Sequence, residues 1–407
     1  MVKSQSMQSR RTLFLVLALC LTACNLSLPS LPDGTPGVFP PIRETPSIPR
    51  PSRTKFPSCE PVAITPSQAA IPEYPTPLPN PLVSDSNPTL RKLADQRGLY
   101  IGAAGDPSQY SDPEYVKLLT QEFNMVAAEN AMKWQVLHPE PDRYDFSAGD
   151  ALVAFAKTND LAVRGHVLVW DYGYPAWVTE INRTRDEWIQ LLCTHVKTVA
   201  ARYRGQIYAW DVVNEAFEND GALRNTVWMR AIGPEYIAMA FQWAREADPG
   251  ALLILNDHFG EGLNDKSEGI YSLVQGLLQM GVPIDGVGMQ MHLWLWGPPT
   301  SDELETNMQR LADLDLDVHI TEMDVRTQQS SDSEEMKLAT QADTYRKAFA
   351  ACLATRRCKV FVTWGLTDRY SWIPIHTGHP DAPLLFDENG QPKPAYFAIR
   401  DLLKVHK

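Results

Sequence analysis

The sequence has only six Cys in 407 residues. A small fold held together by a dense disulfide framework is therefore excluded. Long apolar runs are missing too. The longest, Leu13 to Leu21, covers about nine residues and is too short to span a bilayer as a helix. Positive charge is scarce: 37 Lys and Arg stand against 49 Asp and Glu, a net charge of -12. That balance does not suit a protein that neutralises phosphate backbones, so no nucleic-acid partner is expected. There is no His-Glu-x-x-His, no Walker-type loop and no Gly-x-Ser-x-Gly. Zinc protease, nucleotide enzyme and serine hydrolase readings fail for lack of parts. What is abundant is apolar and aromatic. Hydrophobic residues make up 44% of the chain, enough for a sizeable core, and 11 Trp and 14 Tyr supply flat rings that suit sugars as well as cores.

The first 23 residues read as an export signal. Lys3, Arg10 and Arg11 precede the short apolar run, which ends in Leu21-Thr22-Ala23-Cys24. That ending resembles a bacterial lipobox, whose Cys would become the lipid-bearing mature N-terminus. An ordinary cleavage site, with secretion, is the alternative. Ser9-Arg10-Arg11-Thr12-Leu13 also resembles a twin-arginine signal, so the export route stays open. Residues 24–90 read as a tether: positions 29–90 hold 17 of the 32 Pro, and no hydrophobic period survives there. The expected arrangement is an exported body held at the cell envelope by lipid on Cys24, with no other membrane contact, and monomeric.

From residue 91 to 407 the texture changes. Eight short apolar runs read as strands: 99–103, 123–126, 162–166, 207–213, 252–256, 286–290, 318–321 and 360–364. Amphipathic stretches lie between them at 151–157, 188–203, 237–246, 270–280, 301–314 and 334–355. Continuous rather than alternating apolar runs suit parallel strands covered on both faces. Eight such units predict an α/β fold, a single (β/α)8 barrel. A doubly wound open sheet is the alternative, weakened because no glycine-rich loop follows the first strand.

In such a barrel the reactive face lies at the C-terminal ends of the strands. There the sequence turns polar: Glu129, Asn130 and Lys133 after the second run, His166 and Trp170 after the third, Asn214-Glu215 after the fourth. Asn256-Asp257, Gln290-Met291-His292, Thr321-Glu322-Met323-Asp324 and Trp364 end the next four. Two carboxylates at strand tips, Glu215 and Glu322, suit glycoside hydrolysis, which needs one protonated carboxyl and one ionised carboxylate. Two like charges held close are expected to raise one pKa and keep the acid loaded.

The quoted stretches carry a resemblance. Arg164-Gly165-His166-Val167-Leu168-Val169-Trp170, Trp210-Asp211-Val212-Val213-Asn214-Glu215, Gln290-Met291-His292, Ile320-Thr321-Glu322-Met323-Asp324 and Thr363-Trp364-Gly365-Leu366-Thr367-Asp368 resemble family 10 glycoside hydrolases, the endo-1,4-β-xylanases. Residues 92–403 match in order. The resemblance implies xylan or xylo-oligosaccharide as substrate, a retaining double displacement, and no cofactor. It gives Glu215 as acid/base and Glu322 as nucleophile, with carboxyl groups about 5 to 5.5 Å apart. It assigns sugar contacts to Glu129, Asn130, Lys133, His166, Trp170, Asn214, Gln290, His292, Trp364 and Trp372. Asp324 would brace His292.

Alternatives stay beside these roles. Glu129 and Lys133 could form an i,i+4 ion pair, and one of the three indoles is expected to be mainly structural. Where the family usually reads His-Ser-Gln after the third-strand Trp, this chain has Asp171-Tyr172-Gly173. Gly173 would leave room for a hexose hydroxymethyl group unless Tyr172 refills it, which motivates a β-1,4-glucanase or cellulase alternative. A carbohydrate-binding surface protein without activity is a third reading. His258-Phe259 stand where the family commonly has Tyr-Asn, putting the leaving-side contacts in doubt. By resemblance Cys352 and Cys358 form a disulfide, while the pairing of Cys59 and Cys193 stays undecided. His376 and His379 lack a third ligand, so no metal is expected.

Overall fold

The computed structural model describes residues 56–63 and 88–405. The signal segment, Cys24 and the rest of the Pro-rich stretch lie outside the described residues. Nine strands follow one another: β1 Tyr100–Gly105, β2 Met125–Ala128, β3 Ala162–Gly165, β4 Ala209–Asn214, β5 Leu252–Asp257, β6 Gly286–Met289, β7 His292–Trp294, β8 Asp317–Arg326 and β9 Cys358–Thr363. β1 pairs in parallel with both β2 and β9, and β6 with both β5 and β8. Eight parallel strands therefore close into a barrel. β7 is an addition of three residues that extends the far end of β8, setting His292 beside Asp324 and Trp294 beside Arg326.

Helices cover the outside because their apolar stripes need burial that the strands' outer faces provide. The helix Arg185–Arg202 starts at a capping box, Thr184 with Glu187, and buries Ile189, Leu192, Val196 and Val199. Ser301–Ala312 starts the same way, at Thr300 with Glu303. Pro113–Glu122 and Pro394–Val405 are helices that the apolar spacing had not singled out. The first opens at Asp112 and Pro113, a cap and a fixed φ suited to a helix start. Among the described residues no helix is long and apolar enough to cross a membrane.

The barrel interior holds Ala104, Met125, Ala127, Val360, Val362 and Trp364 as a small cluster separate from the outer core. Its centre is ionic. Arg164 and Asp211, both wholly buried, pair through two guanidinium nitrogens, and Arg164 Nη1 lies 3.0 Å from His319 Nδ1. Of three register shifts in the barrel, two re-aim side chains of the site. One falls between Asp211 and Val213 in β4, so Asp211 and Asn214 both reach the interior network. The other, between Ile320 and Met323 in β8, turns the neighbours Thr321 and Glu322 towards one residue, Asn256.

Part of the stretch read as a tether is attached to the barrel. Cys59 is disulfide-bonded to Cys193, and Trp243 Nε1 donates to Pro57 O at 2.7 Å. Lys197 Nζ donates to Cys59 O at 2.7 Å, and Val62 N to Thr198 Oγ1 at 2.9 Å. Ser58 adds bonds with Lys197 and Glu246, so a covalent link and five hydrogen bonds dock residues 56–63. Cys352 and Cys358 form the second disulfide.

Candidate active site

The strand tips open into a cleft of ≈ 1280 Å³, more than a drug-sized pocket needs. It is lined by Glu129, Asn130, Lys133, His166, Trp170, Asn214, Glu215, Gln290, His292, Glu322, Trp364 and Trp372. Every residue expected at the sugar site is therefore brought to one place. Asp324 lies just beneath, fully buried.

Glu322 is held on three sides. Asn256 Nδ2 donates to its Oε1 at 2.6 Å, and His292 Nε2 lies 3.2 Å from its Oε2. His166 Nδ1 is 3.9 Å from Oε1 and 3.0 Å from Asp211 Oδ2. His292 Nδ1 in turn sits 2.8 Å from Asp324 Oδ2, which also accepts from Trp372 Nε1 at 2.9 Å. Burial pushes the His292 pKa down, but Asp324 and Glu322 outweigh it and raise it to about 10. The imidazole is a cation between two carboxylates, and its orientation is fixed at both nitrogens.

Glu215 leaves β4 with φ of 54°, the left-handed region, its backbone N–H donating to Asn256 O at 2.9 Å. A non-glycine residue there costs about 1–3 kcal/mol and aims the side chain at the cleft. Asn214 Nδ2 and Gln290 Nε2 each donate to Glu215 Oε1 at 3.3 Å. Arg224 Nη1 is 3.6 Å from Oε2, and His258 Nδ1 is 3.7 Å from Oε1. Burial pushes this carboxyl up, but the His258 and Gln290 donors more than offset it and bring it down to about 2. The expectation that the pair of carboxylates would keep Glu215 protonated is corrected for the sugar-free cleft. The donors around Glu215 outweigh its burial.

At the far end of the cleft, Asp106 accepts from the backbone of Asn130 and Ala131, both at 2.9 Å, and from Asn130 Nδ2 at 2.8 Å. Lys133 Nζ donates to Asn130 Oδ1 at 2.9 Å and lies over the Trp170 ring. The simple Glu129–Lys133 ion pair is absent among the described residues. Burial and the neighbouring Asp106 push Glu129 up to about 7. Trp364 is the most enclosed of the three indoles, edge-on to His166 with ring centres 5.0 Å apart.

The opening expected at Gly173 is not there. A Cβ on Gly173 would lie 2.8 Å from Trp170 Cε3, so the indole already fills that side. Tyr172 is 64% exposed and accepts from Arg224 Nη1 at 3.3 Å, on the Glu215 side. His166, Asp211 and Glu322 bring donor atoms within 4.8 Å of one another. Arg164 already pairs with Asp211, so a metal ion there would face a guanidinium.

Asp211 and Arg164 beneath His166 and Arg224 beside Glu215 were not singled out from sequence, and Asn256 and His258 were named there without their contacts to Glu322 and Glu215. Asn256 had a readable signal, an amide at a strand tip. Arg164 and Asp211 had another, a lone charge inside an apolar run. Arg224 had none.

Comparison with known proteins agrees with this geometry. Residues 89–402 match the model of glycosyl hydrolase family 10. An endo-1,4-beta-xylanase B of Thermotoga neapolitana is 43% identical over 319 residues, covering 77% of this chain and 91% of the relative. An endo-1,4-beta-xylanase of Agaricus bisporus is 40% identical over 315 residues, covering 77% and 93%. The crystal structure of xylanase 10B from Thermotoga petrophila in complex with xylobiose superposes with a TM-score of 0.76. It is 43% identical and covers 78% of this chain and 98% of that one. The chain belongs to glycosyl hydrolase family 10, and its Glu215 and Glu322 both line the cleft at the strand tips.

Proposed function

We propose that the protein hydrolyses internal β-1,4-xylosidic bonds of xylan with retention of configuration. The observation that carries the reading is Glu322 fixed by Asn256 and His292 in the same cleft as the acid-side carboxyl Glu215. Glu322 attacks the anomeric carbon, and the bond to the leaving oxygen breaks as Glu215 delivers its proton. Glu215, now ionised, takes a proton from water as that water displaces Glu322 from the sugar. Asn214 has its carbonyl side occupied by Asn256 and Gln290 and one N–H directed at Glu215, which leaves its second N–H for the sugar. A leaving-side sugar that comes between Glu215 and His258 weakens the largest influence lowering its carboxyl and leaves burial to favour the protonated form.

Reducing-sugar release from xylan tests this. Glu322→Ala is expected to lower turnover by about 10⁴-fold or more, the scale on which loss of a covalent nucleophile is felt. Glu215→Ala should spare the first step for aryl glycosides whose leaving group needs no proton. Wild-type protein that releases nothing from xylan removes the proposal. The glucanase alternative loses its motive, since Trp170 occupies the space read at Gly173.

The reading of export and lipid attachment rests on Leu21-Thr22-Ala23-Cys24 and the basic residues before the apolar run. Two disulfides suit an oxidising compartment and support export. Labelled palmitate should enter the wild-type chain and not the Cys24→Ala variant; equal labelling of both excludes the anchor at that residue.

A further inference from the structure

The cleft wall on the leaving side is aromatic. His258, beside Glu215, is followed by Phe259, whose ring stacks on Trp294 with centres 5.5 Å apart. Trp294 sits across the β7–β8 register from Arg326. The Arg326 guanidinium lies 4.9 Å from the ring centre of Trp294 and 4.9 Å from that of Trp372. Two indoles hold it at the cleft wall.

What the guanidinium lacks is an anion. Of the other Lys and Arg lining the cleft, Lys133 bonds Asn130 and Arg369 pairs with Asp112 at 3.3 Å. Arg326 makes no ion pair and no hydrogen bond to any described residue, and its Nε is buried without a partner. A buried N–H without an acceptor is costly, and a guanidinium fork matches a carboxylate in two bonds. No neighbouring carboxylate pairs with it: Asp324 Oδ2 meets His292 and Trp372, Glu322 meets Asn256 and His292, and Asp324 Oδ1, itself buried without a partner, makes no hydrogen bond to the guanidinium. Among the described residues no side chain supplies the acceptor.

We propose that Arg326 binds the carboxylate of a uronic acid side group on the polysaccharide, carried on the leaving side of the scissile bond. The inference rests on the xylanase reading and adds the decoration that the cleft selects. A neutral arabinosyl branch offers no charge to Arg326. A uronate offers two oxygens in one plane, and the indoles keep the fork pre-set, so little side-chain freedom is lost on binding.

The test compares kcat/KM on glucuronate-decorated xylan with that on linear xylo-oligosaccharides, for wild type, Arg326→Lys and Arg326→Gln. The expected result is a ratio that falls roughly tenfold or more in Arg326→Gln, the scale of one charge-assisted pair, and less in Arg326→Lys. Wild type on the same xylan after its carboxyl groups are reduced to alcohols should show the Arg326→Gln ratio. A ratio equal in wild type and Arg326→Gln, or a wild-type ratio untouched by carboxyl reduction, overturns the assignment. Equal losses on both substrates would make Arg326 a packing residue for the two indoles, and would overturn it too. Wild type inactive on every xylan would instead defeat the xylanase reading, so the two failures are separable.

Discussion

Replacing Cys59 and Cys193 together by Ser tests how the N-terminal strap is held. The disulfide closes a separation of 134 residues. In the chain-entropy account, a loop of that size constrains the unfolded chain by about 5 kcal/mol, and measured losses for native disulfides run from about 2 to 5 kcal/mol. The strap's other polar ties are five hydrogen bonds, from Trp243 to Pro57, from Lys197 to Ser58 and Cys59, from Val62 to Thr198 and from Ser58 to Glu246. At about 1 kcal/mol each they total about 5 kcal/mol. Ordering the eight residues 56–63 costs about 1 kcal/mol or more apiece in backbone freedom alone. Five hydrogen bonds do not meet that cost, so the strap should peel away once the covalent link is gone. The double variant is expected to lose about 2–5 kcal/mol in urea unfolding, with a steeper slope because the chain without the cross-link expands further when unfolded. The Val62 amide, protected by Thr198 in the wild type, should exchange at the rate of an open chain. Unchanged unfolding together with a still-protected Val62 would refute this reasoning, because packing alone would then be holding the segment.

Two further outcomes concern the cleft. A Cβ at position 288 would fall 2.2 Å from Asn256 Oδ1 and 2.9 Å from Thr321 Cγ2; Gly288→Ala should push Asn256 off Glu322 and cost roughly a hundredfold in kcat, as for loss of one preorganised donor, with circular dichroism checking that the fold persists. His258→Gln removes the group that most lowers the Glu215 carboxyl. Its pKa should rise, Glu215 should stay protonated to higher pH, and the alkaline limb of kcat/KM should move up by about one pH unit; a limb that stays put or moves down contradicts the assignment of Glu215 as the proton donor.

Much of this architecture was legible because parallel strands buried on both faces leave uninterrupted apolar runs. The run 252–256 is strand Leu252–Asp257, and the run 286–290 is strand Gly286–Met289. β7 was not, since three residues carry no period. Strand order also explains why the tips converged: once eight units close, Asn214, Glu215, Gln290, His292 and Glu322 have one face to share. The charge state of Glu215 was not legible. It depends on Arg224 and His258, which belong to different loops and come within 3.6 and 3.7 Å only after the barrel forms. The partner of Cys59 was equally hidden, because a Pro-rich stretch has no pattern that says which helix it will lie on.

The ionic centre of the barrel has an evolutionary side. Arg164 and Asp211 are each wholly enclosed and answer one another across β3 and β4. Losing either alone strands its mate as a bare charge in a dry interior, a penalty of about 3–5 kcal/mol. That is a large part of the whole margin by which a domain stays folded. Lineages drifting at the surface can change one position at a time; at these two sites they are confined to paired replacement. Because Asp211 also touches His166, which faces the nucleophile, a paired replacement that restored the fold would still have to rebuild the footing of Glu322.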